Sequence, residues 1–252
     1  MLKNSHPSAV TALLSGLATV IATTLEAQSI AQHVASVRDG TVQIHFAAAP
    51  GACGDGRAVI GRRLAGGGVA LFVPNLTHLP ANAEAACRPG PVRVALGMAG
   101  GRVASVRATA GPAPQTPAVW VAPADASAFL LDVAMRSDGQ IARGALVPVF
   151  LMDGDGVWRG LLRVARSARA QEARSMAAKE LGRRAAATIA GGDRGHRADT
   201  ELSRKNGGEA EWLTIATRDA DPARRRAALQ LLGKDGTPRA LDLFESILAR
   251  AR

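Results

Sequence analysis

The chain has 252 residues, of which 47% are hydrophobic and only 3% aromatic, and its formal net charge at pH 7 is +10. Proteins that bind the phosphates of nucleic acids cluster their cations, whereas the basic residues of this chain are spread along it and tyrosine is absent. The composition therefore argues against a nucleic-acid partner and fits a soluble globular protein of one large or two small domains.

The N-terminal residues have the pattern of a secretory signal peptide. Lys3 is followed by an uncharged run of 16 residues at 9–24, and Ala27 and Ala31 end two possible cleavage sites. A membrane-spanning helix needs about 20 predominantly apolar residues, so this run is short for one. We predict a signal peptide at residues 1–27, cleaved near Ala27 or Ala31, and a periplasmic or secreted protein with no stable membrane insertion. An uncleaved anchor is the alternative.

The two cysteines, Cys53 and Cys87, are predicted to form a disulfide, because an even pair in an exported chain is typical of a structural bridge. The bridge would close a loop of 34 positions, which stabilises a fold by roughly 3–4 kcal/mol in the chain-entropy model. Two free thiols are the alternative if the signal peptide is misassigned. No histidine is spaced to complete a zinc site with the pair.

The first half of the chain is predicted to consist of β-strands. Their expected positions are residues 41–46, 68–74, 92–98 and 102–109. Polar residues alternate with apolar ones in the first strand, which places His45 on its exposed face. The second is a short apolar run that suits a buried strand. The last two form a hairpin around Gly100 and Gly101, and the disulfide would join the loop after the first strand to the segment before this hairpin.

A proline-rich segment at 113–125 is predicted to link a β-rich domain, residues 28–112, to a helical domain, residues 126–252. Helical periodicity begins near Ala126, and a second helix is expected at 141–152. The remainder of the chain is mostly helical by the same criterion.

The helical part contains an internal repeat. Residues 160–182 align without gaps with residues 211–233, at an offset of 51, and share six identities in 23 positions. In the second copy Asp221 is a suitable N-cap, Pro222 fits the first helical position, and Gly233 is expected to end the helix. Two helices joined by a tight turn cannot bury their apolar face alone, so each copy should stack on a neighbour.

The second copy resembles a HEAT-like repeat. The resemblance lies in residues 221–233, Asp-Pro-Ala-Arg-Arg-Arg-Ala-Ala-Leu-Gln-Leu-Leu-Gly, and in the Thr-Pro start of the next helix at 237–244. The first copy is degenerate, because Ala170-Gln171 replaces Asp-Pro. The whole layout is similar to exported HEAT-repeat proteins of bacteria. The resemblance implies a surface that binds other proteins, rarely catalysis, and a hydrogen-bonding role within the repeat for Arg225.

The predicted fold class is therefore α+β, with an N-terminal disulfide-linked antiparallel β domain followed by a C-terminal α-helical HEAT-like repeat domain. No motif of a catalytic or cofactor site is present, so we expect no cofactor and no metal. Residues 153–156, Asp-Gly-Asp-Gly, imitate the start of a calcium loop. A turn is the favoured interpretation, because Val164 occupies the twelfth position, where such a loop needs an acidic ligand.

Two basic stretches are candidates for partner binding. Residues 191–208, bracketed by glycine pairs, are either a disordered insertion or a binding loop, and the run 224–226 is otherwise a solvated helix face. The candidate partner-binding residues are Arg194, His196, Arg197, Arg204, Lys205, Arg224 and Arg226.

These patterns predict an exported, non-catalytic module that binds another extracytoplasmic protein through its repeat surface. Two alternatives stay open. One is a hydrolase of cell-wall or other extracellular polymer whose active residues converge only in the fold. The other is a sensor domain tethered to the membrane by a retained N-terminal segment.

Overall fold

A computed structural model describes residues 30–57, 59–63, 68–72, 83–112, 119–190, 202 and 207–251. The predicted signal peptide at 1–27 lies outside the described residues, as does most of the 191–208 stretch. Within those ranges the chain has a mixed α and β architecture with two four-stranded sheets. None of the helices that the structure describes is long and apolar enough to span a bilayer.

Strands predominate before residue 120 and helices after it. The strands are β1 (Gly40–Phe46), β2 (Ala52–Gly54), β3 (Ile60–Arg63), β4 (Val69–Leu71), β5 (Arg88–Pro89), β6 (Val92–Ala99), β7 (Arg102–Ala110) and β8 (Val119–Trp120). The helices are α1 (Ile30–Ser36), α2 (Ala83–Ala86), α3 (Pro123–Arg136), α4 (Gly139–Val149), α5 (Asp155–Ser167), α6 (Gln171–Ala187), α7 (Glu209–Arg218), α8 (Pro222–Asp235) and α9 (Pro238–Arg250).

The larger sheet has the strand order β7-β6-β1-β8. The predicted hairpin is confirmed, because β6 and β7 pair as antiparallel neighbours from Val92 opposite Ala110 to the turn. β1 pairs antiparallel with β6, and β8 adds to the free edge of β1 in parallel. Side chains alternate between the two faces of a strand, and the face that carries Ile44, Phe46 and Leu96 is completely buried.

The smaller sheet, in the order β4-β3-β2-β5, contains the predicted disulfide, which is confirmed. Cys53 lies in β2 and Cys87 immediately precedes β5, and their Cα atoms are 5.0 Å apart. Both cysteines are fully buried. The expectation of a buried strand at 68–74 is wrong for its described part. β4 is an edge strand that pairs only with β3 within the described residues, so its side chains are half-buried.

The helices pack against the apolar face of the larger sheet. α4 lies so close to β7 that a Cβ atom at Gly144 would be 2.5 Å from the carbonyl oxygen of Val106. The buried apolar residues form one continuous core that extends from the sheet into α9. The division at the proline-rich segment stays a prediction; the described end of that segment supplies β8 and the first turn of α3.

The two copies of the repeat form two helical hairpins, α5–α6 and α7–α8, which pack on each other through α6 and α8. These two helices run in opposite directions, because Ala178 lies against Gly236 while Arg226 reaches the carbonyl oxygen of Ile189. An approximate two-fold axis therefore relates the copies. Neighbours in an extended repeat array are instead related by translation, which would place α6 and α8 parallel.

The two corresponding glycines of the repeat lie where α6 and α8 meet. A Cβ atom at Gly182 would be 2.6 Å from the carbonyl oxygen of Leu229, and one at Gly233 would be 3.1 Å from that of Ala178. The prediction that Gly233 ends its helix is wrong. α8 continues to Asp235, and Gly236 closes it in the left-handed conformation with φ 61°. The glycine instead permits close backbone approach.

Candidate functional site

A row of polar side chains crosses the larger sheet on the face opposite the helices. The strand pairing places Thr109 opposite Arg93, Arg93 opposite His45, and His45 opposite Trp120. Residues paired across neighbouring strands project to the same face, so the row runs from β7 to the edge strand β8. We call these four residues the sheet-face site.

Arg93 is a buried cation without a counterion among the described residues. The residue as a whole is only 9% exposed. Nε donates to Thr109 Oγ1 at 3.2 Å, and Nη2 donates to the carbonyl oxygen of Gly56 at 3.3 Å. No carboxylate of the described residues pairs with it, and burial lowers the pKa of the guanidinium. A buried charge is normally paired, so this arrangement is the exception that requires an explanation.

His45 is also buried, at 8% exposed, and the expectation that it is a solvent-exposed polar residue is wrong. The reason is β8, which covers the edge of β1 and places the Trp120 ring edge-to-face with the imidazole at 5.5 Å. Nε2 of His45 is buried and has no hydrogen-bond partner among the described residues. Burial, followed by the nearby positive charge of Arg93, lowers the His45 pKa. The imidazole is therefore held neutral at pH 7.

The surroundings of the row are positively charged. The four strands of the larger sheet contain no aspartate or glutamate, whereas Arg107 lies exposed on the same face as Arg93. Trp120, at 64% exposed, and Val119, at 42%, are the large hydrophobic residues that stand exposed among the described residues. A polar face with an exposed tryptophan, buried donors and no acidic residue in its four strands is suited to binding an anionic group.

A concave surface lies where the smaller sheet meets α5, α6 and α9. This junction cleft encloses about 670 Å³. Among its lining residues are Arg62, Arg63, Asp153, Trp158, Arg183 and Arg184. Carboxylates of the chain pair with Arg62, Arg183 and Arg184, and the carbonyl oxygen of Cys87 accepts from Arg63 at 2.9 Å.

The arginines of the junction cleft hold the sheet and the helices together. Asp153 pairs with both Arg62 of β3 and Arg184 of α6. Arg184 also donates to the carbonyl oxygen of Met152 at 2.7 Å, and Glu180 accepts from Arg183 and Arg184 at 2.5–2.7 Å. Because each of these cations already has a partner within the chain, few of their hydrogen-bond donors remain for a ligand.

The Asp-Gly-Asp-Gly sequence at 153–156 forms the turn into α5, as favoured by the sequence. Asp153 serves as the salt-bridge partner just described. Asp155 lies in the first turn of α5, and its carboxylate accepts from the indole Nε1 of Trp158 at 3.3 Å. No group of three or more histidine, cysteine, aspartate or glutamate side chains within the described part of the chain could hold a metal ion.

Most of the candidate partner-binding residues lie outside the described residues. These are Arg194, His196, Arg197, Arg204 and Lys205. Arg224 and Arg226 are described and half-buried on α8. Arg224 pairs with Asp219 at 3.3 Å. Arg226 Nη1 donates to the carbonyl oxygen of Ile189, just after α6, at 3.5 Å. The structure therefore does not bring either residue near the sheet-face site.

The hydrogen-bonding role implied for Arg225 is found in the other copy of the repeat. The Nε of Arg225 is buried without a hydrogen-bond partner among the described residues. Its counterpart Arg174 donates to the carbonyl oxygens of Ala168 at 2.6 Å and Arg169 at 3.0 Å. The degenerate first copy thus has the contact that closes its hairpin, and the second copy lacks it.

No family model, curated protein or solved structure matches this chain. Its function is therefore argued from its own residues.

Proposed function

We propose that this chain is an exported, non-catalytic interaction module that binds an extracytoplasmic protein on the open face of its larger sheet. The observation that carries this proposal is Trp120, which stands 64% exposed at the edge of that face, directly beside the buried pair His45 and Arg93. Tryptophan and arginine are the residues most enriched at the centres of protein interfaces, where acidic side chains and lysine are depleted.

The position of Trp120 explains why a partner would use it. It belongs to a two-residue edge strand that is fixed by pairing with β1 and by a 2.9 Å hydrogen bond from Val121 to the His45 carbonyl. The indole is therefore presented on a rigid element. An anchor that is already ordered loses little conformational entropy when it binds.

Location outside the cytoplasm is the second part of the proposal. A fully buried disulfide between Cys53 and Cys87 favours an oxidising compartment. Ile30 is 6% exposed and belongs to the core, so cleavage after Ala31 would remove a buried residue. We therefore favour processing after Ala27, with Gln28 as the mature N-terminus. The intact mass of the exported protein tests this choice.

The repeat surface is a second candidate for the interaction. Arg226 is bonded to Ile189, next to the start of the 191–208 stretch, so a partner of that stretch would also meet α8. The HEAT-like resemblance that motivates this candidate stays a prediction. The two candidate surfaces differ in the residues that a partner would contact.

Affinity capture with matched variants separates the two surfaces. The mature protein and its Trp120→Ala, Arg224→Ala/Arg226→Ala and Gln230→Ala variants are used to capture proteins from an extracytoplasmic fraction. Gln230 is an exposed residue of α8 and serves as the control. We expect Trp120→Ala alone to reduce the recovery of one captured protein at least tenfold. Truncation of a hot-spot residue costs about 2 kcal/mol or more, which corresponds to an affinity about 30-fold weaker. Loss only in the arginine double variant would reject the sheet-face proposal.

A further inference from the structure

We propose that Arg93 and His45 form a binding site for a single carboxylate group, supplied by the partner or by a small organic acid. This inference deepens the proposed function and rests on it only for the identity of the molecule that carries the carboxylate. It answers a question that the fold itself leaves open, namely what neutralises the buried guanidinium of Arg93, which forms no salt bridge among the described residues.

The donors that remain on Arg93 match a carboxylate. Nε and Nη2 each use one N–H, toward Thr109 and Gly56. The Nη1 group makes no hydrogen bond with the described residues and carries two further donors. Arginine presents its donors in a planar fork that suits the two oxygens of a carboxylate, and such charge-assisted hydrogen bonds are about twice as strong as neutral ones.

His45 supplies the second half of the site. Its buried Nε2 lacks a partner and faces the same side of the sheet as Arg93, one strand away. Strand spacing of about 4.8 Å allows one small group to meet both side chains. Nε2 can donate to the second carboxylate oxygen in the tautomer that carries its proton there. A buried nitrogen without a partner destabilises the free protein, and a ligand would remove that penalty.

The charge of the site selects a carboxylate over a phosphate. Arg93 contributes one positive charge, and His45 is held neutral, so the buried part of the site offsets one negative charge. A carboxylate carries one charge on two oxygens, whereas a phosphate monoester carries nearly two charges on three oxygens at pH 7. The second charge of a phosphate would stay uncompensated in a buried position.

The indole of Trp120 lies edge-to-face against the His45 imidazole at 5.5 Å, so a ligand bound to His45 changes the surroundings of this fluorophore. The other two tryptophans, Trp158 and Trp212, are buried at 6% and 5% exposed. Tryptophan fluorescence therefore reports on the site over a constant background.

The test is a fluorescence titration of the purified full chain with sodium acetate, compared with sodium chloride at equal ionic strength. We expect a saturable change with acetate alone and half-saturation at or below about 10 mM, within what four non-hydrogen atoms can supply. Arg93→Met should weaken acetate binding by about tenfold or more, because it removes charged hydrogen bonds. Arg136→Met removes an exposed cation of α3, away from the larger sheet, and should leave binding unchanged.

Further variants keep the test decisive if Arg93→Met does not fold. Arg93→Lys retains the charge but not the fork, and His45→Phe removes both ring nitrogens, including Nε2; each should weaken acetate binding severalfold. Trp120→Phe should abolish the signal while calorimetry still detects binding. Identical responses to acetate and chloride, or equal losses in the Arg93 and Arg136 variants, would overturn the proposal.

The carrier of the carboxylate is distinguished in a second arm. A C-terminally amidated hexapeptide with one glutamate is titrated beside its glutamine counterpart. Binding of acetate and of the glutamate peptide indicates a protein-borne carboxylate, and binding of acetate alone indicates a small acid. Failure of both, with a partner still lost in Trp120→Ala, would remove the carboxylate site but leave the proposed function intact.

Discussion

The arginines of the junction cleft and Arg93 of the sheet-face site differ in what surrounds them. In the junction cleft, Arg183 and Arg184 are held by Glu180, a carboxylate only 4% exposed, and Arg184 is also paired with Asp153. At the sheet-face site, Arg93 has a hydroxyl and a carbonyl oxygen as partners and no carboxylate of the described residues. One group is electrostatically complete within the chain, and the other is not.

The pKa values follow this difference only for Arg183, because burial outweighs the charge and hydrogen bond of Glu180 at Arg184 and lowers its pKa. Burial acts to lower the pKa of Arg183, but the hydrogen bonds and charge of Glu180 outweigh it, and the pKa is raised. Burial alone acts on Arg93, and its pKa is lowered. A cation that is paired inside the chain contributes to the fold. A cation left unpaired destabilises the fold slightly and is retained most simply because something outside the chain pairs with it.

The largest expected effect is that of Glu180→Gln. The change leaves two buried guanidinium groups without their shared carboxylate, which typically destabilises a protein by about 3–5 kcal/mol. Urea unfolding measures it. Glu172→Gln is the matched control, because Glu172 pairs with Arg143 at a more exposed position, and its loss should be at most about 1 kcal/mol. Equal effects would mean that the junction arginines are not a buried network.

The second prediction concerns Gly182, which precedes Arg183 and Arg184 on α6. Gly182→Ala would place a methyl group 2.6 Å from the Leu229 carbonyl oxygen, so α6 must move away from α8 and carry both arginines with it. We expect a loss of about 1–3 kcal/mol in urea unfolding. Gly156→Ala is the control, because nothing lies within 4 Å of its Cβ position, and stability should stay equal or rise by up to about 1 kcal/mol. Tolerance of both changes would contradict the close crossing.

Local patterns in the sequence were sufficient for some of the elements and for the disulfide. Alternation predicted β1 and the β6–β7 hairpin, capping residues predicted the starts of α8 and α9, and the cysteine pair predicted the bridge. Asp221 accepts a hydrogen bond from Ala223 and Thr237 from Ala240, as their positions before a proline indicate. Such features depend on residues close in sequence, and a single chain contains the whole signal.

The sheet-face site could not be predicted because it depends on distant pairing. Alternation alone makes His45 and Arg93 ordinary polar positions on two strands. They become buried and adjacent through pairing of β1 with β6 and with β8, whose Trp120 comes from a proline-rich segment expected to be a linker. The sequence likewise shows Gly182 and Gly233 as an identity of the repeat. It does not show that two antiparallel helices cross at these glycines.

The third prediction uses the pH dependence of stability to test the neutral state of His45. Its pKa is lowered in the folded protein, so below pH 6.5 the unfolded chain binds a proton that the folded chain resists. Stability is therefore full above pH 6.5 and falls as the pH is lowered toward the folded pKa, by at most about 1.4 kcal/mol per pH unit for this one group. His45→Phe should flatten the curve in that range. The same slope in both proteins would show that His45 is not desolvated.

The smallest expected effect is that of Arg93→Met, and it is the sharpest contrast with Glu180→Gln. Methionine fills a similar volume without a charge, and replacing a buried charge by an apolar side chain is often neutral or stabilising. The unpaired state of Arg93 makes the desolvation penalty the dominant contribution, while its hydrogen bonds to Thr109 and Gly56 are long. We expect the free energy of unfolding to change by no more than about 1 kcal/mol. The change should be an increase, because the variant removes the desolvation penalty of the guanidinium. Far-UV circular dichroism and urea unfolding measure it, beside the acetate titration of the same variant. A loss of 3–5 kcal/mol would place Arg93 with the junction arginines as a structural cation, whereas unchanged stability with lost acetate binding separates the arginines that hold the fold from the arginine that meets a ligand.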